Sequence, residues 1–205
     1  VWSLAVTNYS EKKRELTVTG YAEFTNNNNY EQDQVNLQYS QYITQTVFRG
    51  NRVRQMIHAN LDRLEEGENI DNKNVFNRFF GLAGADVNSW CGDKESFLGR
   101  YHGYNNPEGV ITGKLSNKGN YNENSCGALS TVLSLAPGET KEITFLVGMK
   151  GDAEAGEIVE HYKNCQDVCK RELEELIEYW HGQLSHFQIR TPSPEFNTMI
   201  NTWNA

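Results

Sequence analysis

What this chain has little of narrows it first. Proline occurs only 4 times in 205 residues and charged residues make up 22%. With 38% hydrophobic residues, that composition supports a packed core rather than wholesale disorder. No apolar run approaches the roughly 20 residues that span a bilayer as a helix, and no basic-then-apolar start reads as a secretory leader. Basic residues are outnumbered, 19 Lys and Arg against 27 Asp and Glu, for a net charge of −8. A surface of that sign repels phosphate backbones and argues against nucleic acid as a partner. The four cysteines, Cys91, Cys126, Cys165 and Cys169, are too few to staple a chain of this length. There is no phosphate-cradling glycine loop, no G-x-S-x-G elbow and no H-E-x-x-H motif. The expectation is a soluble, cytoplasmic protein of one large domain, or one domain with an extension, that does not cross a membrane.

What is present reads as β over residues 1–150. Trp2, Leu4 and Val6 alternate with Ser3, Ala5 and Thr7, and Asn8-Tyr9-Ser10 makes a turn. Leu16 to Phe24 alternates again and is expected to pair with the first strand. Ile43 to Phe48 and Arg52 to Ala59 flank Arg49-Gly50-Asn51, a hairpin signature. Phe76 to Leu82 is a further apolar run. Leu129 to Leu135 and Ile143 to Val147 flank Ala136-Pro137-Gly138-Glu139, which reads as another hairpin. Strands at this spacing argue an antiparallel sandwich.

Between the strands lie polar stretches, Thr25 to Gln34, Asp86 to Gly103 and Tyr104 to Ser125, long enough to read as functional loops. Asparagine is frequent, 23 in all. One reading is turn chemistry, since Asn tolerates the left-handed region. The other is sugar recognition, with amides for hydroxyls and Trp90, Tyr101 and Tyr104 as stacking faces.

From Asp152 the period lengthens. Ile158, Tyr162, Cys165, Cys169, Leu173, Ile177, Trp180, Leu184 and Phe187 recur at helical spacing up to about Gln188. His161, Cys165 and Cys169 share that face, but the cysteines continue its apolar stripe and read as small hydrophobes rather than zinc ligands. Thr191-Pro192-Ser193-Pro194 breaks the helix, and Ser193 then caps a last one with Phe196, Met199, Ile200 and Trp203 on one face. A chain that opens inside a strand and stops inside an amphipathic helix is expected to be a piece of something longer. Domain boundaries are expected at 1–150 for the sandwich, 151–190 for a helical linker and 191–205 for the start of a further helical domain.

Loop acids Asp33, Asp93, Glu95 and Glu108 are candidates for a glycosidase-type pair, although solvated loop acids are far commoner. Three sequence runs carry more information: Asp93-Lys94-Glu95-Ser96-Phe97-Leu98-Gly99, Tyr101-His102-Gly103-Tyr104-Asn105-Asn106-Pro107 and Gly113-Lys114-Leu115. With Leu135-Ala136-Pro137-Gly138-Glu139, Tyr179-Trp180 and Phe196-Asn197 through Trp203-Asn204, they resemble the amino-terminal domain of the inverting phosphorylases of glycoside hydrolase family 94. Arg78 to Gly84, Tyr121 to Asn124 and Cys126-Gly127-Ala128 look most like its cellodextrin-cleaving members, and next its cellobiose-cleaving ones.

The resemblance implies a galactose-mutarotase-like antiparallel β super-sandwich, a helical linker and an (α/α)6 barrel, in a protein that is usually a homodimer. It implies cleavage of a β-glycosidic bond by inorganic phosphate, as co-substrate rather than cofactor, with an Asp general acid lying beyond Ala205. No catalytic residue and no metal ligand is then expected here, and the apolar stripe of the linker should pack on the sandwich or on the barrel. The family's acceptor-site loop, Asn-Phe-Gln-Arg, matches Asn36-Leu37-Gln38-Tyr39. Asn36, Gln38 and Tyr39 are the substrate-binding candidates, and Tyr39 departs from the pattern by replacing the Arg with an aromatic face. The same stretch could instead simply begin a strand. A stand-alone carbohydrate-binding module and a purely structural domain remain as rival readings.

Overall fold

The structure is a computed structural model that describes residues 1–25, 35, 37–57 and 77–203; for Leu37, Tyr39, Ser40, Cys165, Gln166 and Trp203 it describes the backbone alone. Asn36, Asp33, most of the polar stretch Thr25 to Gln34, and the residues between Ile57 and Asn77 lie outside it. The chain divides into two compact units, residues 1–165 and 166–205.

The first unit is mainly β, as expected. It holds β1 (Trp2–Thr7), β2 (Arg14–Glu23), β3 (Thr44–Arg49), β4 (Arg52–Ile57), β5 (Arg78–Ala83), β6 (Ser89–Asp93), β7 (Ser125–Leu135) and β8 (Thr140–Met149). They form a five-stranded sheet in the order β1-β8-β5-β4-β3 and a three-stranded sheet in the order β2-β7-β6. Every ladder is antiparallel. Phe80, Leu82, Leu129, Leu135, Ile143 and Phe145 fill the space between the sheets, each contributing roughly 1.5–3 kcal/mol by burial. Phe80 and Phe145 stack with ring centroids 5.6 Å apart.

The β3–β4 hairpin forms where its turn residues place it. Gly50 and Asn51 have φ of 51° and 57°, the two left-handed residues that a type I′ turn requires. The other two expected pairings are corrected. β1 pairs with β8 and β2 with β7, so β1–β2 and β7–β8 are arches from one sheet to the other, not hairpins. Asn8 locks the two arches together. Its backbone N–H donates to Glu139 O at 2.9 Å and its carbonyl accepts from Gly138 N at 2.8 Å. Its side-chain amide donates to the carbonyls of Lys12, Leu135 and Ala136. Strands so joined face each other across the core, and their apolar residues meet there.

The polar stretches are also more structured than expected. Asp86 to Gly103 contains β6 and a helix, here α2 (Lys94–Leu98), and Tyr104 to Ser125 contains α3 (Glu108–Ile111). Residues 35–42 hold α1 (Leu37–Tyr42), so the stretch around Gln38 does not start a strand. Segment 117–122 then closes one side of the sandwich. Asn117 N donates to Trp90 O and Gly92 N to Lys118 O along β6, while Thr46 N donates to Asn120 O and Asn122 N to Thr44 O along β3.

Helix α4 (Asp152–His161) covers the outer face of the five-stranded sheet, packing Ala155 and Val159 on Phe79, Ala83 and Leu146. Its first residue is tied to β3 and β4. Asp152 meets Arg49 at 2.6 Å, Arg52 at 2.5 Å and Arg54 at 3.2 Å. Burial pushes the Asp152 carboxyl up, but the hydrogen bonds from Arg52 and Arg49 and the charge of Arg54 outweigh it and hold the group below its ordinary value.

In the second unit, α5 (Cys165–Leu184) carries the expected stripe, yet Leu173, Ile177, Trp180 and Leu184 are all exposed. α6 (Pro194–Thr198) is capped by Ser193 Oγ, which accepts from Phe196 N, and a π-helical turn, Met199–Trp203, follows. Asn197 and Asn201 clasp the preceding extended segment, each side-chain amide donating to and accepting from the backbone of Thr191 and Ile189 respectively. Among the described residues no helix is long and apolar enough to cross a membrane, and no three His, Cys, Asp or Glu side chains converge as metal ligands.

Candidate functional site

The polar rim at one end of the three-stranded sheet is built by three neighbouring strand ends, the end of β2, the end of β6 and the start of β7, together with α1 and α2. Glu23 closes β2. Its carboxylate accepts from Tyr21 OH at 3.0 Å, from Lys94 Nζ at 3.2 Å and from Tyr104 OH. Lys94 also lies over the Tyr104 ring, 5.3 Å from its centroid, and Tyr21 stacks on Phe97 at 4.3 Å. Burial pushes the Glu23 carboxyl up, but hydrogen bonds from Tyr104, Lys94 and Tyr21 outweigh it and keep the group below the usual carboxylate range. Burial, with Glu23 alongside, pushes the Tyr21 phenol up. An ionised carboxylate fixed by three donors is an acceptor, not an acid.

Asp93 ends β6 as the N-cap of α2, accepting from Ser96 N at 2.6 Å. A hydrogen bond with Asp93, and that carboxylate's charge, push the neighbouring Glu123 carboxyl up. Of the acids singled out by sequence, Asp93 is thus spent on capping, Glu95 and Glu108 are exposed, and Asp33 lies outside the described residues.

Helix α1 joins this rim through an amide pair. Gln41 Nε2 donates to Asn124 Oδ1 at 2.9 Å. Asn124 O in turn accepts from Asn120 Nδ2 and from Lys94 N. A continuous path of hydrogen bonds therefore runs from α1 through Asn124 and Lys94 to Glu23 and Tyr104. Gln38, one turn before Gln41, is exposed. Asn36 and the side chain of Tyr39 lie outside the described residues. Tyr101 and Tyr104 are exposed, as stacking faces must be. Trp90 is not, since it stacks on Phe48 at 5.2 Å and packs against the core; its expected role as a sugar face is corrected. Several asparagines serve as turn amides instead, Asn8 and Asn120 above all. Sequence reasoning missed Glu23, Tyr21 and Gln41, because each reads as ordinary strand or helix alternation until its partners are known.

A cleft of about 510 Å³ opens at the other end of the same sheet, between Asp86, Asn88, Thr131 and Lys141. None of the sequence-predicted binding residues lines it. The rim, by contrast, offers amides, phenols, a carboxylate and an ammonium together, a donor and acceptor set suited to sugar hydroxyls.

The chain is similar to two N,N'-diacetylchitobiose phosphorylases. That of Vibrio proteolyticus is 27% identical over 205 residues, 99% of this chain and 24% of the relative. That of Vibrio furnissii is 28% identical over 204 residues, again 99% of this chain and 24% of the relative. The cyclic beta-(1,2)-glucan synthase NdvB of Rhizobium meliloti (strain 1021) is 28% identical over 127 residues, 61% of this chain but 4% of that protein. This chain thus spans about a quarter of the two phosphorylases it matches. Residues 1–165, the sandwich with α4, match the glycosyl hydrolase 94 supersandwich domain, and the chain belongs to that family.

Proposed function

We propose that this chain is the non-catalytic amino-terminal domain of an inverting glycoside phosphorylase acting on β-linked glucan oligosaccharides such as cellodextrins. In that reaction a phosphate oxygen bonds to the anomeric carbon from the face opposite the leaving group. The glycosidic C–O bond breaks, and a general acid delivers its proton to the departing sugar oxygen, leaving α-glucose 1-phosphate. The observation that carries the reading is similarity along 99% of the chain to two phosphorylases. The state of the acids agrees with a supporting role. Glu23 is held ionised by three donors and Asp93 is engaged as a helix cap, so neither is suited to protonate a leaving group. Gln38, exposed on a helix anchored through Asn124, is the described residue best disposed to bond a hydroxyl of the acceptor sugar, with Asn36 and Tyr39 beside it in sequence.

A second substrate reading has its own support. Both phosphorylases are named for N,N'-diacetylchitobiose, so an N-acetylated disaccharide is the competitor to cellodextrins. The complete protein, supplied with phosphate and either cellobiose, cellotriose or N,N'-diacetylchitobiose, distinguishes them. The reading expects the cellodextrins to give the higher kcat/KM. Preference for the acetylated sugar replaces it with the second reading, and no phosphate-dependent cleavage of any of the three overturns both.

A further inference from the structure

Among the described residues, four that are not glycine hold a left-handed φ, and three of them are asparagines, Asn51, Asn117 and Asn122. The fourth is Tyr101, with φ of 64°. Asparagine enters this region readily, whereas a bulky aromatic there is a strained outlier. Tyr101 is the third residue of a turn in which His102 N donates to Gly99 O, and a positive φ at that position calls for glycine or asparagine. No packing within the chain offsets the strain, because Tyr101 is fully exposed. The turn is braced from the far side. Asn106 N donates to Gly103 O, Gly103 N donates to Asn106 Oδ1, and the His102 ring meets Asn106 O at 3.0 Å.

Tyr101 precedes Tyr104 by three residues, so their Cα atoms are at most about 11 Å apart, and Tyr104 belongs to the Glu23 cluster. That cluster has bonding capacity to spare. Glu23 Oε1 accepts from Tyr21 OH and Tyr104 OH, and Oε2 accepts from Lys94 Nζ. A carboxylate offers about four lone-pair sites, so one on Oε2 stays open, on a side chain that is 41% exposed. A flat ring in solvent, next to a carboxylate and an ammonium, fits a pyranose, whose C–H face lies on the ring while its hydroxyls reach the charged pair. The residues around the ring, His102, Asn105 and Asn106, are exposed and polar, unlike the apolar centre of a protein interface.

We propose that Tyr101, with Glu23, Lys94 and Tyr104, is a binding platform for a β-linked glucan chain. One sugar stacks on Tyr101, and a neighbouring sugar hydrogen-bonds to Glu23 and Lys94. The platform is a contact additional to Gln38, and it favours longer oligosaccharides because a single sugar cannot engage both halves. The strain at Tyr101 is then the cost of holding a stacking face out in solvent. The choice of a glucan as ligand rests on the substrate reading above; the geometry of the platform does not.

Calorimetric titration of the 205-residue chain with cellotetraose and with glucose, in the absence of phosphate, tests it. Cellotetraose should bind about tenfold or more tightly than glucose. Tyr101→Gly relieves the backbone and removes the ring together. Its affinity for cellotetraose should fall about tenfold, while its urea midpoint holds or rises. Tyr101→Phe keeps the stacking face and should stay within about threefold of wild type. A folded wild-type chain that does not bind cellotetraose, or a folded Tyr101→Gly that binds it as tightly as wild type, overturns the proposal. So does a urea midpoint lowered by Tyr101→Gly, which would mean that the ring serves the fold. Each of these failures leaves phosphorolysis by the complete protein standing, since that is read by cleavage and not by binding to this chain.

Discussion

Gly81 and Val159 touch. A Cβ built on Gly81 of β5 would stand 2.7 Å from Cγ2 of Val159 on α4, so the helix lies on the sheet at a distance that only a glycine permits. Gly81→Ala should therefore lift α4 and cost about 1–3 kcal/mol. Val159→Ala removes the opposing methyls and should recover part of that loss in the double variant. Denaturant melts of the four proteins in the cycle give the coupling. Strictly additive losses would mean that α4 shifts without strain.

Asp152 clamps the other end of that helix contact. Asp152→Asn leaves Arg52, whose side chain is only 9% exposed, without its counter-charge, and should cost about 3 kcal/mol at neutral pH. Because the folded-state pKa of Asp152 is depressed, its contribution is fully present above the unfolded value of about 3.9. It is lost as pH falls through the folded value. The gap between wild type and variant should thus narrow below about pH 4. A gap independent of pH down to full protonation would remove the electrostatic explanation.

Trp180 is 53% exposed. In the 205-residue chain, Trp180→Ala should change unfolding free energy by less than about 1 kcal/mol, as at a surface position. A loss of about 3–5 kcal/mol, the cost of emptying a packed aromatic site, would show instead that the stripe on α5 is buried in solution.

Every strand but β6 was legible in the sequence; the sheets were not. Gly50-Asn51 announces a hairpin because the left-handed φ of a type I′ turn is a local demand. Ala136-Pro137-Gly138-Glu139 makes an equally good turn, but whether the strands beyond it pair or face each other is decided by Asn8, more than 120 residues away. β6 escaped notice because Gly92 interrupts it at an irregularity in its pairing with β7. The rim shows the same limit. Glu23 and Lys94 meet only because β2 and β6 flank β7 in one sheet, and no local pattern encodes that. Gln38 could be named in advance because its neighbours matched a family loop, whereas Gln41, which anchors the helix, carried no such mark.

In the complete protein, Gln38→Ala should lower kcat/KM for the synthetic direction by about ten- to a hundredfold, the scale of one unpaired sugar hydroxyl, roughly 1–3 kcal/mol. The apparent affinity for phosphate should not move. Tyr39→Ala should penalise cellobiose as acceptor more than glucose, since a stacking face serves the second sugar. Paired acceptor kinetics measure both. Unchanged kinetics in the two folded variants would make this helix scaffold.

The most direct test follows the phosphorus. In 31P NMR of cellotriose and inorganic phosphate with the complete protein, an α-glucose 1-phosphate signal should grow as inorganic phosphate declines, while the 205-residue chain alone produces none. A β-configured sugar phosphate, cleavage that proceeds without phosphate, or turnover by the purified 205-residue chain would contradict the assignment of this chain as the non-catalytic domain of an inverting phosphorylase.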